Sequence, residues 1–182
     1  MERLINIDGI GVPFKASGAT PRIYRGVTGR DLFTDLAKLE NVKTFTPELL
    51  EVYEDLAYTM RKQGNDALGD EKEKDFPPTP DAWLDTIGVL DIYDILPQLI
   101  ELWRDNEKTT VEAKKKQPSS SRPLTTALFY LRCLQTGLSL TETDLLTVGE
   151  IFDIIIESSN DHTEGEEVRN ATQKDIEWLK RM

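Results

Sequence analysis

The chain has a single cysteine, Cys133, and a single histidine, His162. A lone cysteine makes no intrachain disulfide, so covalent cross-links do not hold this fold, and a reducing cytoplasm is the simplest compartment. A lone histidine offers little to zinc, which takes about four ligands on a defined scaffold. Asp161, His162 and Glu164 read instead as a solvated acidic loop. Positive charge is also scarce: 22 Lys plus Arg face 33 Asp plus Glu, a formal net charge of -11. Phosphate neutralisation needs a basic surface, so nucleic acid is not an expected partner. An anionic membrane is not expected either. No apolar run approaches the roughly 20 residues of a membrane-spanning helix. Met1-Glu2-Arg3-Leu4 does not begin the long apolar region of a signal peptide. Asp8-Gly9-Ile10-Gly11 matches neither glycine fingerprint for phosphate. No acid pair or activated nucleophile is placed by a recognisable scaffold. Neither an enzymatic activity nor a cofactor is therefore expected.

What is present is helical periodicity with strong punctuation. Asp8-Gly9 joins Leu4-Ile5-Asn6-Ile7 to Ile10-Gly11-Val12-Pro13-Phe14, a hairpin signal because both turn residues tolerate positive φ. Thr20-Pro21, Thr46-Pro47 and Thr79-Pro80 each read as a helix start, with Thr as N-cap and Pro at the first helical position. Gly29, Gly64 and Gly88 read as stops. Leu49, Tyr53, Leu56, Ala57 and Met60 share one helix face. Residues 65–78 read as a polar loop. Farther on, Leu124, Ala127, Leu128, Leu131 and Leu134 form another face, closed by Gly137, with Cys133 a small buried hydrophobe on the same helix. Ile154-Ile155-Ile156 suits either helix or strand. Residues 158–170 read as an acidic loop, and Thr172 as the cap of a short last helix with Ile176, Trp178 and Leu179.

Between these blocks, Glu112 to Arg122 reads Glu-Ala-Lys-Lys-Lys-Gln-Pro-Ser-Ser-Ser-Arg. It holds too little apolar surface to offset its chain entropy and reads as a linker. The expected fold is mainly α with a small N-terminal β-hairpin, in two helical modules joined by a flexible linker. The modules are 1–111 and 123–182, and the linker is 112–122.

Two features point to binding. Arg22, Arg25 and Arg30 form a basic patch in an acidic chain. They either pair with nearby acids such as Asp31 and Asp35 or meet an acidic neighbour, another copy of this chain included. The helix expected over 89–105 confines Asp91, Asp94, Gln98, Glu101 and Asp105 to one narrow stripe, and nearly everything else on it is apolar. A surface helix needs only about a 100° apolar arc. Such a helix is either central in its domain or partly covered by a partner. Taking Ile92, Tyr93, Leu96, Ile100 and Trp103 as the inward face leaves Leu90, Ile95, Leu99 and Leu102 as the outward, partner-binding face, with Arg22 and Arg25 as further contacts.

Phe14-Lys-Ala-Ser-Gly-Ala-Thr-Pro-Arg-Ile-Tyr-Arg, Gly29-Arg-Asp-Leu-Phe-Thr-Asp-Leu, Pro80-Asp-Ala-Trp-Leu-Asp and Ile95-Leu-Pro-Gln-Leu-Ile-Glu-Leu-Trp resemble the tail assembly chaperones of long-tailed phages and prophages of Gram-positive bacteria. Arg122-Pro-Leu-Thr-Thr-Ala-Leu-Phe-Tyr-Leu-Arg-Cys, Gly137-Leu-Ser-Leu and Asp144-Leu-Leu-Thr-Val-Gly resemble the extension of their longer form. The resemblance covers nearly the whole chain. It implies that the first module keeps the tape measure protein soluble while the second recruits major tail tube subunits. It also implies action in the cytoplasm of the infected host and absence from the finished virion. The long form is implied to arise by programmed ribosomal frameshifting, with Lys114, Lys115 and Lys116 as the candidate junction. A contrasting reading is an acidic adaptor or inhibitor mimicking nucleic acid, but the acids here are interspersed with bases in the first module. The frameshift expectation predicts an adenine-rich run at the codons for Lys114 to Lys116, with different reading frames on its two sides. Sequencing the natural gene checks it, and one continuous frame without such a run removes it.

Overall fold

The computed structural model describes residues 1–39, 46–88, 91–114 and 122–165. Strands β1 (Glu2–Ile7) and β2 (Ile10–Lys15) pair antiparallel, with Ile7 opposite Ile10 and Leu4 opposite Pro13. Asp8 (φ 51°) and Gly9 (φ 83°) both adopt the left-handed conformation that the two-residue turn demands. Asn6 Oδ1 accepts the Gly9 N–H at 2.8 Å. Among the described residues this is the only sheet. The helices are α1 (Thr20–Thr28), α2 (Leu32–Leu39), α3 (Pro47–Ala67), α4 (Pro80–Leu84), α5 (Asp91–Glu107), α6 (Thr126–Gln135) and α7 (Val148–Gly165). The chain is thus mainly α with an N-terminal hairpin.

Local chemistry sets several of these boundaries. The hydroxyls of Thr79 and Thr125 cap α4 and α6 by accepting the N–H groups of Ala82 and Leu128 at 3.2 Å each. The Asp91 carboxylate reaches back to accept the Gly88 N–H at 2.7 Å, which starts α5. Thr20 behaves differently from the expected N-cap, a place taken by Ala19. Its buried hydroxyl accepts the Ser17 N–H at 2.9 Å and donates to Gln63 Oε1 at 2.7 Å, tying the turn before α1 to α3. The three isoleucines 154–156 are helical, and α7 continues through Gly165 where a loop was expected from residue 158.

Gly64 does not end α3, which runs three residues farther. It lies in the helix interior because β2 crosses there. A Cβ at this position would collide with the Pro13 carbonyl and lie 2.9 Å from Phe14 Cα. Glycine's helix cost is about 1 kcal/mol. Here it permits a backbone approach that buries Phe14, Tyr58, Met60 and Trp83 in one cluster. The chain after α3 folds back on it: Tyr58 Oη donates to Pro77 O at 2.7 Å, and the Arg61 guanidinium stacks over Phe76 at 5.1 Å while pairing with Glu73.

Helix α5 turns most of its apolar arc into the core and keeps a polar side with Asp94, Gln98 and Glu101 in solvent. Ile92, Ile95, Leu96, Leu99, Leu102 and Trp103 are all at most 5 % exposed. The hairpin covers one side, where Arg3 pairs with Glu101 (2.6 Å) and Asp105 (3.3 Å). α3 and α7 cover the rest. Pro97 lies on the solvent side with Tyr93 and Gln98, so its missing N–H falls on the exposed side of the helix.

The two segments share one apolar cluster instead of forming separate cores. Phe129 of α6 lies 5.4 Å from Phe33 of α2 and 5.5 Å from Phe152 of α7. Gly18 N–H donates to Leu146 O (2.7 Å), and Tyr130 Oη donates to Gly18 O (2.8 Å). Thr126 N–H donates to Asp31 Oδ2 (2.9 Å). Glycine is required at both close approaches. A Cβ on Gly18 would collide with Ile151, and one on Gly149 with the Lys108 carbonyl.

Substituting Gly64 by Ala should cost on the order of 1–3 kcal/mol, because helix or strand must shift. Gly26, in α1, has nothing within 4 Å of its would-be Cβ. Gly26→Ala should instead gain about 0.5–1 kcal/mol. Urea unfolding of both variants measures the contrast, and equal midpoints would contradict the close-approach account.

Candidate functional site

The surface expected on α5 is absent. Ile95 and Leu99 are each 2 % exposed and Leu102 is fully buried, so these three belong to the core; Leu90 lies outside the described residues. The expectation failed because the arc is covered from within the chain: β1, α3 and α7 all pack on α5.

Tyr93, expected inward, is instead 49 % exposed on α5, and further exposed apolar residues gather in two other places. The first is the hairpin. Leu4 (71 % exposed) and Leu68 (39 %) line a groove of about 220 Å³ with Pro13 and Ala67, and Ile10 (68 %) stands exposed at the turn. The second is α6 and the chain just after it. Ala127, Leu131 and Leu134 share one face at steps of four and three, and all three are exposed. Leu140 and Leu145, which follow, are exposed too, Leu145 by 81 %. The leucine face read from the sequence thus exists, but it faces water, while Thr126, Phe129 and Cys133 face the core. A partial signal was available: α6 is apolar on both sides, and cysteine, on the face with Phe129, is more often fully buried than leucine. Each leucine returned from water contributes about 1.5–3 kcal/mol on full burial.

The basic patch divides. Arg22 crosses between segments to Asp144 at 2.9 Å. Arg25 is exposed on α1. Arg30 is committed inward: it donates to Asp35 (3.0 Å) and to the Tyr24 hydroxyl (3.0 Å), and it pairs with Glu51 and Asp55. Tyr24 Oη in turn donates to Asp35 Oδ2 at 2.9 Å, and Lys38 pairs with Asp35 at 2.8 Å. Burial would raise the Asp35 pKa, but its bonds from Lys38 and Tyr24 outweigh that and hold it low. At Asp55 burial wins over the Arg30 pairing and pushes the carboxyl up to about 6.

The start of the expected linker is held to α7. Asp153 accepts the N–H groups of Thr110 (2.9 Å) and Val111 (3.1 Å). Farther along α7, Asn160 Oδ1 accepts the Lys114 N–H (3.0 Å) and Asn160 Nδ2 donates to Glu112 O (3.2 Å). Residues 110–114 therefore form a strap along the helix, so that the first part of the linker expected over 112–122 is held against α7. Lys115 and Lys116 lie outside the described residues. Cys133 is fully buried, with its thiol pushed up to about 11 by burial. The His162 side chain lies outside the described residues, and among those described no three His, Cys, Asp or Glu side chains cluster as metal ligands. No helix among them is long and apolar enough to cross a membrane.

No family model matches the chain, and the searches of curated proteins and of solved structures return no match.

The folded-state pKa of Asp55 lies above its ordinary value of 3.8, so the folded state holds this proton more tightly than the unfolded chain. The stability it contributes is complete below about pH 4 and is lost as pH rises through about 6, on the order of 1–3 kcal/mol. Asp35 acts in the opposite sense and at lower pH. Wild type minus Asp55→Asn, compared by urea unfolding from pH 4 to pH 7, should therefore show a falling difference. A flat difference would mean Asp55 ionises freely beside Arg30.

Proposed function

We propose that this chain is a tail assembly chaperone of the long-tailed phage type, acting in the cytoplasm of the infected bacterial host. Its first segment holds the tape measure protein and its second recruits tail tube subunits. The supporting observation is the pair of exposed apolar surfaces on different segments of one acidic chain: Leu4 and Leu68 in the first, Leu131 and Leu134 in the second. A chaperone for a long helical client needs apolar surface that the client covers during assembly and vacates afterwards. The sequence resemblance supplies the identity of the clients. Mimicry of nucleic acid is less well supported, because Asp31, Asp35, Asp55 and Asp153 are engaged within the fold instead of forming a free surface array.

Co-expression with the tape measure protein of the same phage tests the proposal. The wild-type chain should keep that protein soluble. A Leu4→Asp, Leu68→Asp variant with unchanged circular dichroism should lose most of this effect. A tape measure protein that stays insoluble beside wild-type chain would sink the proposal.

A further inference from the structure

Residues 123–165 combine two properties. They expose the Ala127–Leu131–Leu134 face of α6, with Leu140 and Leu145 following it. They are also acidic: Glu142, Asp144, Glu150, Asp153, Glu157, Asp161 and Glu164 stand against Arg132 within the segment, and Arg22 of the first segment pairs with Asp144. Counting Arg22, five negative charges remain in excess, carried by α7 and the turn before it, beside the apolar surface of α6. The side chains of Glu142, Glu150, Glu157 and Asp161 belong to exposed residues, so the field reaches solvent. Arg132 is turned to Gln135 Oε1 at 2.9 Å on its own helix.

We propose that the leucine face of α6 docks an amphipathic helix whose apolar side is flanked by lysine or arginine, supplied by another protein. The spacing of Ala127, Leu131 and Leu134 suits the i, i+3, i+4, i+7 anchors of a partner helix. The charge of the segment selects the flanks: a basic helix is steered toward it, and an acidic one is repelled. A second copy of this chain fits poorly, because each copy brings the same excess of negative charge to the contact. The inference rests on the chaperone reading for its biological setting and adds to it the chemistry of the partner.

The test uses the full chain and two synthetic helices of about 18 residues. Both carry leucine at helical spacing; one has lysine flanks and the other glutamate flanks. Fluorescence anisotropy should show binding of the lysine helix, weakened by salt, and at least about tenfold weaker binding of the glutamate helix. Leu131→Asp with Leu134→Asp should abolish lysine-helix binding, whereas Leu4→Asp should leave it intact. Should the double variant lose its helical circular dichroism, Leu134→Ser alone serves and should weaken binding several-fold. Equal binding of both helices, or binding unaffected by the α6 substitutions, overturns the proposal. So does sedimentation as a dimer that the α6 substitutions split. Binding that emerges only after removal of residues 166–182 also overturns it, since the face then belongs to the chain's own end. No tail protein enters this assay, so its failure leaves the chaperone reading standing. Intact helix binding beside an insoluble tape measure protein would sink that reading alone.

Discussion

The fold depends on backbone meeting backbone at Gly18. Both main-chain polar groups of this residue are satisfied by the second segment, its N–H by Leu146 O and its carbonyl by the Tyr130 hydroxyl. Buried main-chain groups left unpaired would cost about as much as a lost hydrogen bond each. The absence of a side chain is what lets Ile151 approach. Once that contact is made, α6 reaches α2 through Phe129 and Phe33, and α7 reaches α5 through Val148 and Asn106.

What could be read from the sequence was local. The hairpin was legible because Asp8-Gly9 encodes its own turn, and the starts at Pro47 and Pro80 were legible because threonine and proline act within one helical turn. The end of α3 was not legible, because the reason for Gly64 is a strand some fifty positions earlier in the chain. The face of α5 was misread for a similar reason: its cover comes from β1, α3 and α7, all distant from it in the sequence. On α6 the periodicity was correct and the orientation reversed, since a helix apolar on two sides does not say which side is inward. Candidate surface residues failed where they depended on knowing what else packs nearby, and Arg30 resolved to the internal pairing that nearby acids allow.

Among the described residues, most of the large apolar side chains that remain exposed lie on the hairpin, on α6 and on the chain just after it, at elements attached to the core by one side only. A two-stranded sheet has one face for the core and one for solvent, and α6 is held along one side, through Thr126, Phe129, Tyr130 and Cys133. Such elements present apolar side chains to water without disturbing the core. Surface built this way can be covered and uncovered while α3 and α5 stay fixed, and that is the division of labour the proposed chaperone role requires.

The strap along α7 has a consequence for which substitutions the chain tolerates. Asp153 and Asn160 grip it mostly by amide groups: the N–H of residues 110, 111 and 114 and the carbonyl of residue 112. Every amino acid but one brings these same groups. The exposed positions 112 and 113 are therefore open to drift, and selection acting on codons there meets little opposition from folding. The exception is proline at 110, 111 or 114, which deletes a donated N–H. A lineage of such chains would record the strap less as a conserved motif than as a place where proline never settles.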